Sequence, residues 1–209
     1  MFKIPALASE TGHAFHAPSI IADLKGIPLK HWQKAAALIL TLGAAGAIAF
    51  AADRIYTLPD PAAELKRLFP AAAAFSPLAG QPLHFKAYAA DPKANPSAPP
   101  IGIAFWTTDL VPQEHGYHGP IHILVGMDMT GVLTGVIVTY DSEPYGYFSV
   151  QPPKFAAQFK GKSIRDPFRV GSDVDAVSRA SITIGSATRA IRDSSRAVAK
   201  QLLPPEVVK

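Results

Sequence analysis

An uncharged apolar run at residues 35–52, AAALILTLGAAGAIAFAA, constrains the possible folds of this chain more than any other feature. As an α-helix it would be about 27 Å long, close to the roughly 30 Å hydrocarbon core of a bilayer. Trp32 and Lys34 precede the run and Asp53 and Arg54 follow it, as interfacial anchors do. We therefore predict a transmembrane helix at residues 35–52.

The charge of the preceding leader, residues 1–34, predicts the orientation of this helix. The leader is lysine-bearing, and the positive-inside rule keeps such a segment in the cytoplasm. We expect a single-pass inner-membrane protein whose C-terminal domain lies in the periplasm.

Two alternatives to this signal-anchor stay open. Ala49-Phe50-Ala51 offers a small-residue cleavage site, which would make the run part of a signal peptide and the product a soluble exported protein. The long leader favours the uncleaved anchor over that alternative. The other alternative is a buried, alanine-rich core helix.

Composition excludes several classes of function. The 209 residues are 48% hydrophobic, and 20 Lys and Arg against 16 Asp and Glu give a net charge of +4. These basic residues are scattered, so we expect no nucleic-acid partner. The absence of cysteine excludes disulfides and cysteine-ligated iron–sulfur clusters. His115 and His118 have no carboxylate or further histidine in range, so we expect no metal site.

Periodicity and turn residues predict the elements that follow the span. Asp60 and Pro61 suit the start of a short helix, so we interpret residues 53–79 as a helical spacer. Two β-rich runs flank the turn sequence at residues 128–131, which predicts a hairpin. Further helices are expected from Pro152-Pro153 through Phe159 and from about Ser181 to Leu203.

Three pieces of sequence together resemble a known family. Residues 116–121, GYHGPI, are followed by LVGMD at 124–128 and GVLTGV at 131–136. Residues 141–147, DSEPYGY, come next, and residues 175–183 read DAVSRASIT. This pattern resembles the FMN-binding domain of the flavin subunits of Rnf complexes and sodium-pumping NADH:quinone oxidoreductases. It also resembles the extracytoplasmic domain of nitrous-oxide and nitrite reductase regulators.

The resemblance implies an α+β fold in which an N-terminal transmembrane helix precedes one FMN-binding domain at residues 80–203, with a tail at 204–209. In that domain, helices flank an antiparallel sheet. In the family, a separate periplasmic flavin transferase attaches FMN through a phosphoester to the last hydroxyl of the motif D-x-x-S/T-G-A-T/S. That position here is Ser181. The implied cofactor-binding positions in this motif are Asp175, Ser178, Arg179, Ala180, Ser181 and Thr183.

Other interpretations of this stretch remain. Ser178 or Ser181 would also suit a simple helix N-cap. Thr188 offers a second hydroxyl after Ser186-Ala187, but Ile182 stands where the motif needs its acid. Arg179 replaces the motif's Gly, and a left-handed backbone there would favour Gly.

Glu143, Tyr145 and Tyr147 complete the predicted cofactor site. Aromatic faces stack on flat ring systems, so this loop is a candidate for contacts to the isoalloxazine ring. The alternative is an ordinary turn with partly buried aromatic residues.

The function implied is that of an FMN-carrying, electron-transfer subunit rather than a stand-alone enzyme. Its expected partners are the membrane, the redox proteins of a membrane electron-transfer complex and the flavin transferase. The alternative is a membrane-tethered binding or assembly module that keeps the fold without flavin, with Arg179 as the sign of that loss.

Overall fold

The computed structural model describes residues 60–209. The predicted leader and transmembrane helix, residues 1–52, lie outside the described residues. Within residues 60–209 no helix is both long enough and apolar enough to cross a bilayer.

A five-stranded antiparallel sheet forms the centre of the fold, and its strands are neighbours in chain order. The strands are β1 (Ala74–Phe75), β2 (Phe85–Tyr88), β3 (Pro100–Trp106), β4 (His122–Asp128) and β5 (Leu133–Tyr140). The helices are α1 (Ala62–Leu68), α2 (Thr107–Leu110), α3 (Pro153–Ala157), α4 (Ser181–Leu202) and α5 (Pro205–Val208), with a 3₁₀ turn at Gly146–Phe148. The predicted α+β class is confirmed.

The predicted hairpin is confirmed as β4 and β5. The Oδ1 atom of Asp128 accepts hydrogen bonds from Thr130 N at 2.8 Å, Thr130 Oγ1 at 2.7 Å and Val132 N at 3.0 Å. Gly131 has φ of +80°, a left-handed conformation that glycine adopts without steric cost. The turn therefore depends on the Asp128 side chain and on the left-handed backbone of Gly131.

The long helix α4 covers one face of the sheet. Side chains alternate between the two faces of a strand, and Phe105, Ile123 and Val125 project from β3 and β4 into the same buried cluster as Ile184 and Ile191 of α4. The predicted C-terminal helix is therefore confirmed, within one residue at its end.

The short helix α1 covers the opposite face. Leu65 and Leu68 of α1 share a buried cluster with Trp106 and Leu124 of the sheet. The described part of the predicted spacer at residues 53–79 thus contributes α1 and β1 to the fold, because its apolar side chains are buried against the sheet.

Arginines hold α4 in place along its outer side. Arg189 makes a bidentate ion pair with Glu114, with N–O distances of 3.0–3.2 Å. Arg196 donates to the carbonyl oxygens of Ile164 at 2.9 Å and Asp166 at 2.8 Å. These bonds connect the outer side of α4 to the segments that contain Glu114, Ile164 and Asp166.

Gly126 in β4 should not tolerate a side chain. An added Cβ would clash with Thr134 Oγ1 of the neighbouring strand β5, and it would lie 3.1 Å from Leu68 Cβ and 3.2 Å from Phe69 Cε2. Overpacking of this kind costs about 1–3 kcal/mol. We expect Gly126→Ala to lower the free energy of unfolding by that amount in a urea titration.

Gly185→Ala is the matched control, since an added Cβ there would meet only the end of the flexible Arg189 side chain, at 3.3 Å. Alanine is the better helix former, so this variant should gain about 0.5–1 kcal/mol. Equal losses in both variants would contradict the close packing of Gly126 against Thr134 and α1.

Candidate functional site

The N-terminal end of α4 presents free hydrogen-bond donors. The N-cap is Ala180, which makes no side-chain cap, and the first helical bond runs from Ile184 N to Ala180 O at 2.9 Å. Within residues 60–209 the N–H groups of Ser181, Ile182 and Thr183 have no acceptor. Free N–H groups and the positive end of the helix dipole make such an end an anion-binding position.

The hydroxyls of Ser181 and Thr188, the two candidate positions for flavin attachment, lie in opposite environments. Ser181, the first residue of α4, is exposed. Thr188 is 1% exposed, and its Oγ1 has no hydrogen-bond partner within residues 60–209. Neither Ser178 nor Ser181 caps the helix with its side chain. Only the exposed hydroxyls are accessible to a modifying enzyme.

The buried carboxylate of Glu143 ties α4 to two loops. Its Oε2 accepts from the Tyr117 N–H at 2.9 Å and from the Thr183 hydroxyl, and its Oε1 accepts from the His118 N–H at 2.8 Å. Gly116 packs directly on the carboxylate, where an added Cβ would lie 2.5 Å from Oε1. Glu143 therefore holds the segment 116–119 against the first turn of α4.

The pKa of Glu143 reflects this set of donors. Burial alone would raise its pKa, but the bonds from Thr183 and from the N–H groups of His118, Tyr117 and Gly119 outweigh burial. The net effect holds the pKa below its ordinary value. Glu143 is therefore ionised at neutral pH, with its oxygens occupied by protein donors.

A cleft of about 380 Å³ opens beside this cluster, within the range of about 300–1,000 Å³ that is usual for small-molecule sites. Tyr117 and Tyr145, which line it, are 67% and 43% exposed. The residues that line the cleft are Tyr117, Pro144, Tyr145, Arg179, Ala180, Ser181, Ile182 and Thr183. The cleft thus combines exposed aromatic rings with the free donors of α4.

The structure brings five of the predicted site residues together in this cleft: Tyr145, Arg179, Ala180, Ser181 and Thr183. Glu143 lies buried behind it, 7% exposed.

Asp175, Ser178 and Tyr147 do not line the cleft. The Asp175 carboxylate pairs with Lys154 at 3.0 Å, and both residues line a separate cleft of about 190 Å³. Ser178 is exposed, and Tyr147, 68% exposed, packs edge-on against Phe148. These three residues are neighbours of the cleft rather than part of its wall.

Sequence reasoning did not name three lining residues: Tyr117, Pro144 and Ile182. A tyrosine between two nearby glycines, Gly116 and Gly119, indicates a bend with an exposed ring, and this signal identifies Tyr117. Pro144 and Ile182 carry no such signal, because their positions depend on the contact between the 141–147 loop and α4.

Comparison with protein families indicates which cofactor this site could hold. Residues 116–196 match the family described as the FMN-binding domain. Residues 116–196 are therefore similar to an FMN-binding domain. The match begins at the Gly116 loop and includes β4, β5, α3 and most of α4, which confirms the resemblance seen in the sequence. Comparison with curated proteins gave no match.

The residues that line the cleft fit FMN, the cofactor of the matched family. The phosphate of FMN needs donors, and α4 offers three free N–H groups beside the Ser181 hydroxyl. The flat ring system needs aromatic or apolar contacts, and Tyr117, Tyr145 and Ile182 supply exposed ones. FMN is therefore the cofactor that the site accommodates.

Replacing the Glu143 carboxylate should weaken the domain. Glu143→Gln removes the charge and turns an NH₂ group toward N–H donors, so we expect a loss of about 2–4 kcal/mol at pH 7. Because the folded pKa is depressed, this contribution is present above the ordinary value of about 4.5 and is lost as pH falls through the folded pKa. Urea titrations at pH 7, 5 and 3 should show the difference from wild type shrinking only at the lowest pH.

Glu114→Gln is the control for this experiment, because Glu114 pairs with Arg189, which is about half exposed. Such a pair contributes about 0–1 kcal/mol. A loss for Glu143→Gln as small as that of the control would contradict the role of Glu143 as the anchor of the site.

Proposed function

We propose that the chain is a membrane-anchored, periplasmic flavoprotein that carries FMN covalently at Ser181 and relays electrons within or to a membrane redox complex. One observation carries the proposal: the exposed Ser181 hydroxyl stands at the first residue of α4, inside a cleft that also offers free N–H groups and exposed aromatic rings. The match to the FMN-binding domain supplies the cofactor.

In this proposal the FMN moiety is transferred to Ser181 from FAD. The serine oxygen forms a bond to the phosphorus on the FMN side of FAD, the pyrophosphate bond breaks, and AMP leaves with the serine proton. A separate flavin transferase is the expected catalyst. The N–H groups of α4 then lie beside the negative phosphodiester.

A bound flavin supplies one- or two-electron transfer, and the protein supplies position and electrostatics. Glu143 holds the Tyr117 loop and α4 in a fixed relation, so the walls of the cleft are set before a cofactor arrives. A partner complex provides the donor and the acceptor of electrons. The chain therefore acts as an electron-transfer subunit rather than as a stand-alone enzyme.

Ser181→Ala should abolish covalent flavin while leaving the domain folded, since it removes one oxygen from an exposed position. The chain would be produced in a host whose periplasm contains the flavin transferase. Intact mass should show wild type heavier by one FMN less one water, with the modified peptide containing Ser181. The variant should show the mass of the bare chain.

Thr188→Val is the matched control. It removes a buried hydroxyl that has no partner within residues 60–209, so folding should be kept and stability should be equal or higher. This variant should retain the FMN mass. Covalent flavin in Ser181→Ala, or its loss in Thr188→Val with folding intact, would refute attachment at Ser181.

Membrane anchoring rests on the apolar run at residues 35–52 and is tested by fractionation. We expect the full chain to stay in the membrane pellet after an alkaline carbonate wash. Replacing residues 1–52 with a cleavable export signal should release a soluble periplasmic domain. Recovery of the full chain in the soluble fraction, with its N-terminus cut near residue 51, would favour the cleaved-signal alternative.

A flavin-free binding module is the second candidate function, and one observation favours it. Arg179 adopts φ of +66° at the position where the attachment motif has glycine. A chain that folds and reaches the periplasm beside an active transferase, yet gains no mass, would support this candidate over the first.

A further inference from the structure

Two residues other than glycine have a left-handed backbone within residues 60–209: Phe168 at φ of +50° and Arg179 at +66°. This conformation costs free energy for a residue with a Cβ, and it persists only where other interactions offset the cost. Phe168 and Arg179 differ in the interactions that offset this cost.

Phe168 is held by the fold. Its side chain is 2% exposed and stacks on Phe159, with ring centroids 6.2 Å apart. Its N–H donates to Asp173 Oδ2 at 3.0 Å, and Asp173 also pairs with Lys162 at 3.0 Å. Burial and a charged acceptor therefore offset the backbone conformation of Phe168.

Arg179 has no such support. Its side chain is exposed and makes no hydrogen bond or ion pair with any residue of the described chain. It lines the Ser181 cleft, where it is the one charged residue among the described lining residues. The nearby carboxylates are committed elsewhere, since Glu143 accepts from its own donors and Asp175 pairs with Lys154.

The chemistry of an unpaired guanidinium at this point favours a phosphate. Arginine carries a permanent charge and a planar fork of donors that matches phosphate oxygens. Arg179 stands two residues before Ser181 and next to the free N–H groups that open α4. The tyrosine rings lie among the other lining residues, where a flavin ring would find apolar contact.

We propose that Arg179 binds the flavin phosphate in this cleft, so that a flavin with a phosphate binds there more tightly than riboflavin. This inference rests on the proposed function, in that FMN occupies this cleft. Where glycine would permit only the backbone turn, arginine accepts a strained turn and adds a phosphate contact.

The test uses the full-length Ser181→Ala chain in detergent, which cannot be loaded covalently at that position. FMN and riboflavin share the ring system and differ in the phosphate, and each would be titrated by quenching of flavin fluorescence. We expect FMN to bind at least tenfold more tightly than riboflavin. Adding 0.5 M salt should weaken the binding of FMN and leave the binding of riboflavin unchanged.

Adding Arg179→Gln to the Ser181→Ala chain should reduce its preference for FMN over riboflavin about tenfold, without changing the affinity for riboflavin. Glutamine keeps a Cβ and therefore the same backbone strain, which makes it a closer match than glycine. Arg179→Lys should retain part of the preference, because it keeps the charge without the fork. Arg189→Gln is the control outside the cleft and should leave the preference intact, since Arg189 pairs with Glu114.

Equal binding of FMN and riboflavin, or a preference that survives Arg179→Gln, would overturn the role of Arg179 and leave flavin binding standing. Covalent loading of wild type with no flavin bound by Ser181→Ala would overturn it as well. Failure of both flavins to bind, together with an unmodified wild-type mass, would instead refute the proposed function.

Discussion

The site depends on one interaction, the hydrogen bonding of the buried Glu143 carboxylate. Its donors, Tyr117, His118 and Thr183, lie 26, 25 and 40 residues away along the chain. A carboxylate can be buried only when its charge is met by hydrogen bonds, and here the donors come from two other segments. Burial of this charge and assembly of the cleft are therefore one event, because neither occurs without the 116–119 loop, the 141–147 loop and α4 in contact.

The sheet gives this assembly its rigidity. α4 lies on one face and α1 on the other, so β3 and β4 are buried on both sides, and the missing side chain of Gly126 leaves room for Thr134 and α1. Arg189 and Arg196 then anchor the solvent side of α4. Because α4 packs on the sheet through Ile184 and Ile191, Ser181 at its first residue keeps a constant position relative to the cleft walls.

Local signals predicted the hairpin and α4, because Gly131 at a turn and apolar residues at helical spacing act within a few residues. The small elements depend on tertiary contacts: β1 has two residues, and the sequence of α1 alone does not show that Leu65 and Leu68 face the sheet. In the site, Ser181 was found through a motif. The carboxylate role of Glu143 and the presence of Tyr117 in the cleft could not be predicted, because both depend on contacts between segments 25 or more residues apart.

The hydroxyl-rich start of α4 has a physical explanation in the separate environments of its side chains. Thr183 donates to Glu143 and so is already committed, while Thr188 is buried in the core. Ser178 is exposed but lies outside the cleft. Ser181 is the one serine or threonine among the described lining residues whose hydroxyl is exposed and unbonded within residues 60–209. These separate environments support the proposed attachment of FMN at Ser181 over attachment at Thr183, Thr188 or Ser178.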